Sequence, residues 1–372
     1  MDSKKRKMWV TSFTMVGSVI GAGILGLPYV FAQSGFLIGI FWIIFLGIIL
    51  VFSKLCLGEV ALRTKEKHQL PGYAGKYLGK WGKIVIYFAM FFGIYSALVA
   101  YLIGEGQSFS MLITGGLDYA IYFGVGFWIV MTLLLRGGLR NLKKIETWGV
   151  FGIIALVLGI FFWLLPGFNF SNITYLEPSN FFLPFGITLF ALMGFTCIPE
   201  LRMEIKGSEK LLKKSIIIGS LIPIIIYILF SFSFVAVLGK NVTEIATLSF
   251  GKIVELLGIF TMLTSYFLSS YVLKDIFEYD LKKKKIQFWF VSFVPLILYL
   301  GVNFFDFTSF TSILGIAGIV SGGVYGSLTL LMNIRSKKLG NRKPEYTIPI
   351  NWMIIIFIIL VFVLGVITRL FF

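Results

Sequence analysis

Charged residues are scarce in this chain of 372 residues. Only 13% of the residues are Asp, Glu, Lys or Arg, and 58% are apolar, whereas a soluble globular domain usually carries about 25% charged residues. So little charge cannot coat a surface that faces water. The composition therefore indicates an integral membrane protein and excludes a soluble nucleic-acid-binding domain.

Chemically reactive side chains are also few. The two cysteines, Cys56 and Cys197, both lie in apolar runs, and the single histidine, His68, lies in a polar connection. These numbers and spacings exclude a disulfide scaffold and a histidine-based metal cluster. The phosphate-binding Gly–Lys motif of nucleotide-driven pumps is missing as well. We therefore expect neither an enzyme nor a bound cofactor.

Long apolar runs fill most of the sequence. A helix needs about 20 mostly apolar residues to span a bilayer, and the runs predict an all-α membrane protein with 11 transmembrane helices. The basic start leads into a run too long for a signal peptide and without a cleavage site, so we predict none. The predicted spans are roughly 9–33, 36–62, 84–107, 118–136, 147–166, 181–201, 214–239, 252–277, 286–304, 309–333 and 350–371.

The Lys and Arg residues predict the orientation. Cytoplasmic loops carry an excess of these residues, and 29 of the 33 fall in six segments on one side of the predicted spans. The amino terminus is therefore expected in the cytoplasm and Phe372 outside, and the net charge of +16 is a sign of topology. Lys54 lies within the second span, and we expect it to snorkel toward the cytoplasmic face. The six basic segments are 1–8, 63–83, 136–144, 202–214, 274–285 and 335–343.

Two spans contain residues that interrupt a helix. Four glycines and a proline fall within Gly17–Pro28, and Gly194 and Pro199 fall within Phe190–Leu201. Backbone that leaves the helix inside a membrane must be buried in protein or line a wet cavity. Paired interruptions about 170 residues apart, at matching places in two halves, predict a transporter built on inverted repeats. The alternative is that the glycines serve close helix packing and the prolines only kink.

The predicted organisation is one transmembrane domain over 1–372 with a 5+5 inverted repeat. Its discontinuous helices are the first and the sixth. The bounds are about 9–166 for repeat one, about 181–333 for repeat two and about 350–371 for one extra helix.

The interrupted spans resemble those of a known family. Gly17–Tyr29 resembles the first helix of the amino acid/auxin permease family, and Leu189–Leu201 resembles the sixth. Ala100–Tyr101 in the third span and Leu263–Leu268 in the eighth are weaker matches. This family belongs to the amino acid–polyamine–organocation superfamily and has the LeuT-type fold. The resemblance covers nearly the whole chain, and it implies a secondary active amino acid transporter that works by alternating access.

The resemblance also implies a substrate site at the middle of the membrane. The positive end of the broken first helix would hold the substrate carboxylate through backbone N–H groups, and the break in the sixth span would hold the ammonium group through carbonyls. No acid or base is expected at the breaks, so the predicted substrate is a neutral amino acid. The expected groups are the N–H groups of Ala22, Gly23 and Ile24 and the carbonyls of Phe190, Ala191 and Met193.

The side-chain pocket is expected to include Ser18, Met193, Phe267 and the face of the third span that contains Tyr95. The candidate gates are Phe190 and Phe195. In a chain with 40 Phe, contact with lipid or with other helices remains the alternative for each aromatic residue.

The driving ion is left open between sodium and a proton. The resemblance implies a sodium-like site at which the carbonyls of Gly17 and Ile20 meet the hydroxyls of Thr264 and Ser265. The alternative is that both hydroxyls bond back to their own helix.

For a proton, ionisable groups inside the membrane are the candidates. Glu200 is the favoured coupling or inner-gate residue, and Glu105 lies near the outer end of the third span. Glu59 and Asp275 are expected to pair with basic residues at the cytoplasmic surface.

The expected partners are an amino acid substrate and the lipid bilayer. A membrane sensor for amino acids, or a transporter of another small solute, remains an alternative. Richness in Lys, Ile and Phe suggests a prokaryotic plasma membrane. The sequence leaves open which amino acid is carried, the direction of transport and the oligomeric state.

Overall fold

All regular elements of the described chain are helical. The computed structural model describes residues 3–136, 142–305 and 308–371. Seven helices there are long and apolar enough to cross a bilayer, or eight spans if one bent pair is counted as one. Three shorter apolar helices, Ala120–Arg136, Phe151–Gly167 and Trp352–Thr368, lie at the three remaining predicted spans. Every predicted span is therefore helical, and a count of eleven crossings stays a prediction.

We number the α-helices in chain order. They are α1 (Ser3–Val19), α2 (Gly23–Ser34), α3 (Phe36–Arg63), α4 (Leu70–Thr114), α5 (Ala120–Arg136), α6 (Leu142–Leu164), α7 (Ser171–Thr174), α8 (Leu183–Ala191), α9 (Ile198–Glu204), α10 (Leu212–Leu238), α11 (Lys252–Asp275), α12 (Lys284–Phe288), α13 (Val294–Phe304), α14 (Phe310–Ala317), α15 (Gly323–Leu339) and α16 (Trp352–Phe371).

The first and sixth spans are discontinuous, as predicted. The first consists of α1 and α2, which meet at an angle of 62°. The sixth consists of α8 and α9, joined through a 3₁₀ turn at Phe195–Cys197. Gly194, just before this turn, has φ +125°, a conformation that only glycine adopts readily. In both spans the break therefore falls where glycine makes a regular helix least favourable.

The third span is longer than predicted. Its helix α4 begins at Leu70, and Gly79 with φ +77° interrupts it before the apolar run starts. The first segment of α4 buries Leu70, Tyr73 and Tyr77, which recur at helical spacing on one face. This amphipathic segment is too polar to be recognised as part of a span.

Contacts between distant segments define two ends of the helix bundle. We call the end where α1 begins the basic end. There Lys7 Nζ donates to the carbonyl of Lys206 at 3.1 Å, and the backbone N–H groups of Asn341 and Arg342 donate to the carbonyl of Arg63. Four of the six basic segments thus meet at this end, as the alternation of spans requires.

The opposite end is joined in the same way by the other connections. The N–H of Glu177 donates to the carbonyl of Ser34 at 2.9 Å, and Gln33 Nε2 donates to the carbonyl of Lys240 at 3.0 Å. Asn169 N–H donates to the carbonyl of Ala236. The loops that follow α2, α6 and α10 therefore lie together, and the spans between the two ends cross the bundle.

Glycines bring helix backbones together at the opposite end. The helix α8 packs against α2, α14 and the π-helical turn Gly318–Gly322. A Cβ atom on Gly186 would lie 2.6 Å from the carbonyl oxygen of Gly315, so no larger residue fits without movement. This half of the bundle is closely packed around α2.

Glu59 is a structural group rather than a surface one. Its carboxylate accepts from Arg63 Nε at 2.7 Å, from Asn333 Nδ2 at 3.1 Å and from the N–H of Ile348 at 2.8 Å. The predicted pairing with a basic residue is confirmed, but the predicted surface position is wrong because the side chain is fully buried. Glu59 joins α3 to α15 and to the segment before α16.

Candidate functional site

The break in the first span leaves backbone donors without partners. The N–H of Ile24 donates to the carbonyl of Gly21 at 3.2 Å, which closes the first turn of α2. Within the described residues, the N–H groups of Ala22 and Gly23 make no hydrogen bond. They stand at the amino-terminal end of α2, where the helix dipole favours an anion. Two of the three predicted carboxylate donors are thus free in this structure, and that of Ile24 is engaged.

The break in the sixth span presents carbonyl groups at the end of α8. The carbonyl of Phe190 accepts from the N–H of Met193 at 3.2 Å, and that of Thr188 accepts from the N–H of Leu192 at 3.0 Å. The carbonyl-terminated end of a helix is its negative end. The polarity of this break is therefore suited to a cation, opposite to that of the break in the first span.

The two breaks touch each other. A Cβ atom added to Gly23 would lie 2.9 Å from Cα and 3.0 Å from Cβ of Ala191, and a Cβ on Gly194 would lie 2.7 Å from a methyl carbon of Val19. Real Cβ atoms do not approach so closely, so both contacts require glycine. The structure thus brings together Gly23, Phe190 and Ala191, which the sequence placed in one site.

Tyr227 of α10 connects the two breaks, and sequence reasoning missed it. Its hydroxyl, fully buried, lies 2.8 Å from the carbonyl oxygen of Val19 and 3.1 Å from that of Ala191. The N–H of Gly21 also lies at this hydroxyl. One side chain therefore satisfies backbone groups on both sides, which lipid could not do.

Access to the breaks differs between the two ends of the bundle. Ser18, before the first break, and Thr196, within the second, are exposed, whereas Gly23–Pro28 and Pro184–Leu189 are buried. Ser18 lies beside the buried Cys197 thiol, so it faces the interior of the bundle. The exposed residues at the two breaks therefore lie toward the basic end, and the segments toward the opposite end are buried.

The predicted aromatic residues do not all lie at the breaks. Phe195 is buried and its ring centroid lies 5.9 Å from that of Tyr325. The hydroxyl of Tyr95 donates to the carbonyl of Phe290 at 3.2 Å, in the ninth span. Phe267 stacks on Tyr271 of its own helix at 6.5 Å. By contrast, the half-buried Phe190 contacts Gly23 directly.

Met193 follows α8 directly, at the break of the sixth span, and is half-buried. A Cβ atom on Gly322 would lie 3.5 Å from its sulfur. Met193 therefore lies between this break and the π-helical turn of the tenth span.

The first and eighth spans meet where the sodium-like site was predicted. A Cβ atom on Gly21 would lie 3.4 Å from Ser265 Oγ. Ser265 Oγ donates to the carbonyl of Thr261 at 2.8 Å, and Thr264 Oγ1 lies 3.0 Å from the same carbonyl. Both hydroxyls thus bond back to their own helix, while their lone pairs remain available. Gly17 is half-buried and Ile20 is buried beside this meeting point.

The basic-end half of the sixth span is tied to its neighbours by α9. Arg202 Nη2 donates to the carbonyl of Thr64 at 2.5 Å, and Nη1 lies 3.3 Å from the Tyr73 hydroxyl. Thr14 Oγ1 donates to Glu204 at 2.9 Å, which joins α9 to α1. Glu200, the predicted coupling residue, is half-buried in the first turn of α9. It lies on the basic-end side of the break.

Lys54 is placed differently from its prediction. Only 1% of this side chain is exposed, so it does not snorkel to the cytoplasmic face. Its ammonium group lies close enough to the Cys197 thiol, at the break of the sixth span, to interact with it electrostatically. In the described part of the chain it has no hydrogen bond and no ion pair. The expectation that no base stands near the breaks is therefore wrong, since α3 packs against α8 and α9 and buries this lysine there.

A cavity of about 380 Å³ opens at the basic end. The hydrogen bond from Lys76 lowers the pKa of nearby Glu66 to about 2. Burial lowers the pKa of His68, and the positive charge of Lys76 lowers it further. The cavity therefore has a neutral imidazole and a net positive rim at pH 7. Its lining residues are Lys67, His68, Gln69, Gly72, Lys83, Tyr87 and Met203.

Comparisons with known proteins agree with this architecture. A model of the tryptophan/tyrosine permease family matches residues 4–247. Glutamine transporter 2 of Aliivibrio fischeri is 22% identical over 356 residues, which are 89% of this chain and 90% of that protein. Tyrosine-specific transport system 1 of Haemophilus influenzae is 26% identical over 237 residues, 62% of this chain and 58% of that protein. The low affinity tryptophan permease of Proteus vulgaris is 24% identical over 243 residues, 61% and 57% of the two chains.

A solved structure shares the fold. The crystal structure of a manganese transporter from Eremococcus coleocola, in complex with an aromatic bis-isothiourea substituted compound, superposes with a TM-score of 0.64. The match covers 99% of this chain and 88% of that chain, at 10% sequence identity. The likeness confirms the predicted all-α transporter fold, and it concerns the fold alone.

Proposed function

Because the chain belongs to the tryptophan/tyrosine permease family, we propose that it is a secondary active transporter for a neutral amino acid, coupled to sodium or a proton. Amino acid transport is common to the matched permeases. The observation that carries the finer proposal is the contact between the broken first and sixth spans at Gly23 and Ala191. It supports a site at which two helix ends of opposite polarity face one substrate.

A zwitterion fits this arrangement. The free N–H groups of Ala22 and Gly23 would hold the carboxylate at the positive end of α2. The carbonyls of Phe190, Ala191 and Met193 at the negative end of α8 would hold the ammonium group. Both charges of the substrate are then met by backbone groups. Ile24 joins the carboxylate site once its N–H is released from Gly21.

A neutral side chain on the substrate is favoured by the charges at the breaks. The buried ammonium of Lys54 stands behind Cys197, and it would repel a cationic side chain in a medium of low dielectric. Ser18, Met193 and Phe190 provide polar and apolar contacts for an uncharged side chain. Tyr95 and Phe267 would reach the substrate only after the helices around them move.

The packing of the bundle supports alternating access. The exposed residues at the breaks, Ser18 and Thr196, lie toward the basic end, while α8 and α14 are in close contact at Gly186 and Gly315 on the opposite side. Transport requires a second state in which this contact separates and the basic end closes. Phe195 and Glu200, which flank the second break, are the candidate gating and coupling residues.

Sodium would bind between the first and eighth spans. The carbonyls of Gly17 and Ile20 and the hydroxyls of Thr264 and Ser265 form the proposed ligand set, and oxygen ligands suit a hard cation. The approach of Gly21 to Ser265 supports this set. In the membrane, we place the amino terminus in the cytoplasm and the protein in a prokaryotic plasma membrane.

The experiment is uptake of a labelled amino acid panel into proteoliposomes under a sodium gradient, a pH gradient or neither. We expect one or a few neutral amino acids to accumulate under one gradient. The Thr264→Ala and Ser265→Ala double variant is expected to raise the sodium concentration for half-maximal uptake only if sodium is the driver. Absence of uptake by folded protein under every gradient would favour the alternative of a sensor or of another small solute.

A further inference from the structure

A carboxyl group is buried without a partner in the third span. The side chain of Glu105 is fully buried, and neither of its carboxyl oxygens has a hydrogen bond in the described part of the chain. The hydroxyl of Ser108, one turn farther along α4, is buried and lacks a partner as well. Two neighbouring polar groups are therefore enclosed in this structure without the bonds that a permanently ionised group requires.

The surroundings of Glu105 are apolar. On either side of it, a Cβ on Gly104 would meet Met262 and, at 3.2 Å, the ring of Phe310, while a Cβ on Gly106 would meet the backbone of Ala120. The helices α5, α11, α13, α14 and α15 and the π-helical turn Gly318–Gly322 pack against α4. Neither α14 nor this turn carries a titratable side chain. The other packed elements carry titratable side chains, and α4 itself carries Tyr101. Apart from groups nearer the basic end, those on the packed elements are Tyr122, Lys252, Glu255, Tyr266 and Tyr299. None of these groups bonds to Glu105.

An ionised carboxylate is not stable in such a place. Burial of an isolated charge costs several kcal/mol even after relaxation of the protein, and inside a membrane no water is present to offset this cost. The closed arrangement therefore favours the neutral carboxyl of Glu105, with the proton covalently held on one of its oxygens.

Glu105 lies close to the proposed substrate and ion site. Tyr101, one turn nearer the breaks on the same face of α4, has its hydroxyl near Ser265 and Ser269. Ser265 in turn adjoins Gly21 at the first break. The carboxyl of Glu105 thus lies about one helical turn, or about 5 Å, farther along α4 than Tyr101. It is in the closely packed half of the bundle, toward the opposite end.

We propose that Glu105 is the proton-binding residue of this transporter, and that closure of the opposite end requires a proton on its carboxyl. This inference rests on the proposed function, and it selects the proton from the two candidate ions. When the opposite end opens, water reaches the carboxyl and its proton exchanges with that side. When the end closes around the substrate, a proton from the water on that side is bound and carried inward with it. After the substrate has left toward the basic end, the carboxyl gives this proton to water that enters from the basic end. The charged carboxylate then destabilises the closed arrangement, so that the opposite end opens again. A driving force on protons then becomes a driving force on the amino acid.

The test compares Glu105→Gln with wild type in proteoliposomes. The probe is a mixture of labelled neutral L-amino acids: alanine, serine, glutamine, leucine, tyrosine and tryptophan. For one proton per substrate, a gradient of one pH unit raises accumulation up to about tenfold. Since Gln resembles a neutral carboxyl, Glu105→Gln is expected to keep exchange of internal for external amino acid and to lose this accumulation. The matched control, Glu255→Gln, removes another largely buried carboxyl of the same half and is expected to keep both activities.

The outcomes separate this inference from the proposed function. Accumulation by wild type under a sodium gradient but not under a pH gradient overturns the role of Glu105 and leaves the proposed function standing. Accumulation by Glu105→Gln under a pH gradient also overturns the role of Glu105. Failure of wild type to move any member of the mixture overturns the proposed function itself. A pH-sensitive dye in the lumen adds a direct readout, because each substrate taken up should deliver a proton there.

A second measurement tests the proposal even if Glu105→Gln loses all transport activity. The thermal stabilities of purified wild type and variant are compared over a series of pH values. Because Gln cannot ionise, the variant should be the more stable at high pH, and this difference should shrink as the medium is acidified. A difference that does not depend on pH would show that Glu105 takes up no proton in the closed state.

Discussion

The hydroxyl of Tyr227 lies 3.1 Å from the carbonyl oxygen of Ala191, at the end of the broken α8. The same hydroxyl lies 2.8 Å from the carbonyl oxygen of Val19, at the end of the broken α1. A single donor on α10 thus fixes the distance between the two breaks. Any movement that separates the breaks must weaken one of these contacts.

Replacement of Tyr227 by Phe should affect both stability and transport. The two buried carbonyls would lose the single hydroxyl hydrogen that they share, and we expect a loss of about 1–3 kcal/mol in stability. Because the breaks would no longer be held in register, we expect about tenfold slower uptake, equivalent to about 1.4 kcal/mol in the barrier. Thermal unfolding and initial uptake rates check this.

Tyr346→Phe is the matched control for Tyr227. Its hydroxyl donates to the carbonyl of Leu55 at 2.8 Å, away from the breaks. This variant should lose stability and keep the uptake rate of wild type. Equal effects of both variants on uptake would mean that Tyr227 is only a structural residue.

Replacement of Gly23 by Ala should separate the two breaks. The new methyl group would stand 2.9 Å from Cα of Ala191, so α2 and α8 must shift. We expect at least about tenfold weaker substrate binding, or about 1.4 kcal/mol, in a protein that still inserts and folds. Gly126→Ala serves as the control, since nothing lies within 4 Å of its added Cβ. Uptake by Gly23→Ala equal to that of the control would exclude the proposed carboxylate site.

Replacement of Lys54 by Met should separate stability from function. A buried ammonium without an ion pair is costly, so an apolar residue of similar length should leave stability unchanged or raise it by about 1 kcal/mol or more. Transport should fall, because ionisable groups inside the membrane usually serve function. Melting temperature and uptake of the same preparation check this. Reduced stability with normal uptake would assign Lys54 a structural role.

The single histidine should not account for any response to pH gradients. The pKa of His68 is lowered from 6.5, so the folded protein binds fewer protons there than the unfolded chain does. Its contribution to stability is therefore lost as the pH falls through 6.5 toward the lowered value. His68→Gln should make the protein more resistant to acid below about pH 6.5 and keep pH-driven uptake. Loss of that uptake would transfer the proton-binding role to His68.

The sequence alone was sufficient to predict the helices and the positions of the two breaks. Both depend on local signals, namely about 20 apolar residues for a span and clustered glycine or proline for a break. The contact of Gly23 with Ala191 was foreseen only through the family resemblance. Its closeness, which excludes a Cβ atom, emerged from the structure alone.

The remaining site residues depend on tertiary packing. Tyr227 is one of 16 tyrosines, in a span without any local feature, and its role depends on two carbonyls about 36 and 208 positions away in the chain. Lys54 could be located within the second span, but the direction of its side chain depends on how α3 packs against α9. The same holds for Glu105, whose lack of partners is a property of its neighbours.

The meeting of the basic segments at one end has a consequence for the choice of lipid. Anionic headgroups attract clustered Lys and Arg by about 1 kcal/mol per residue near the surface. Segments that lie far apart in the sequence, such as those with Lys7, Arg63, Arg202 and Arg342, would then share one layer of anionic headgroups. A bilayer made only of zwitterionic lipids would leave the mutual repulsion of these cations without compensation. The transporter should therefore be more stable and more active in vesicles that contain phosphatidylglycerol or another anionic lipid.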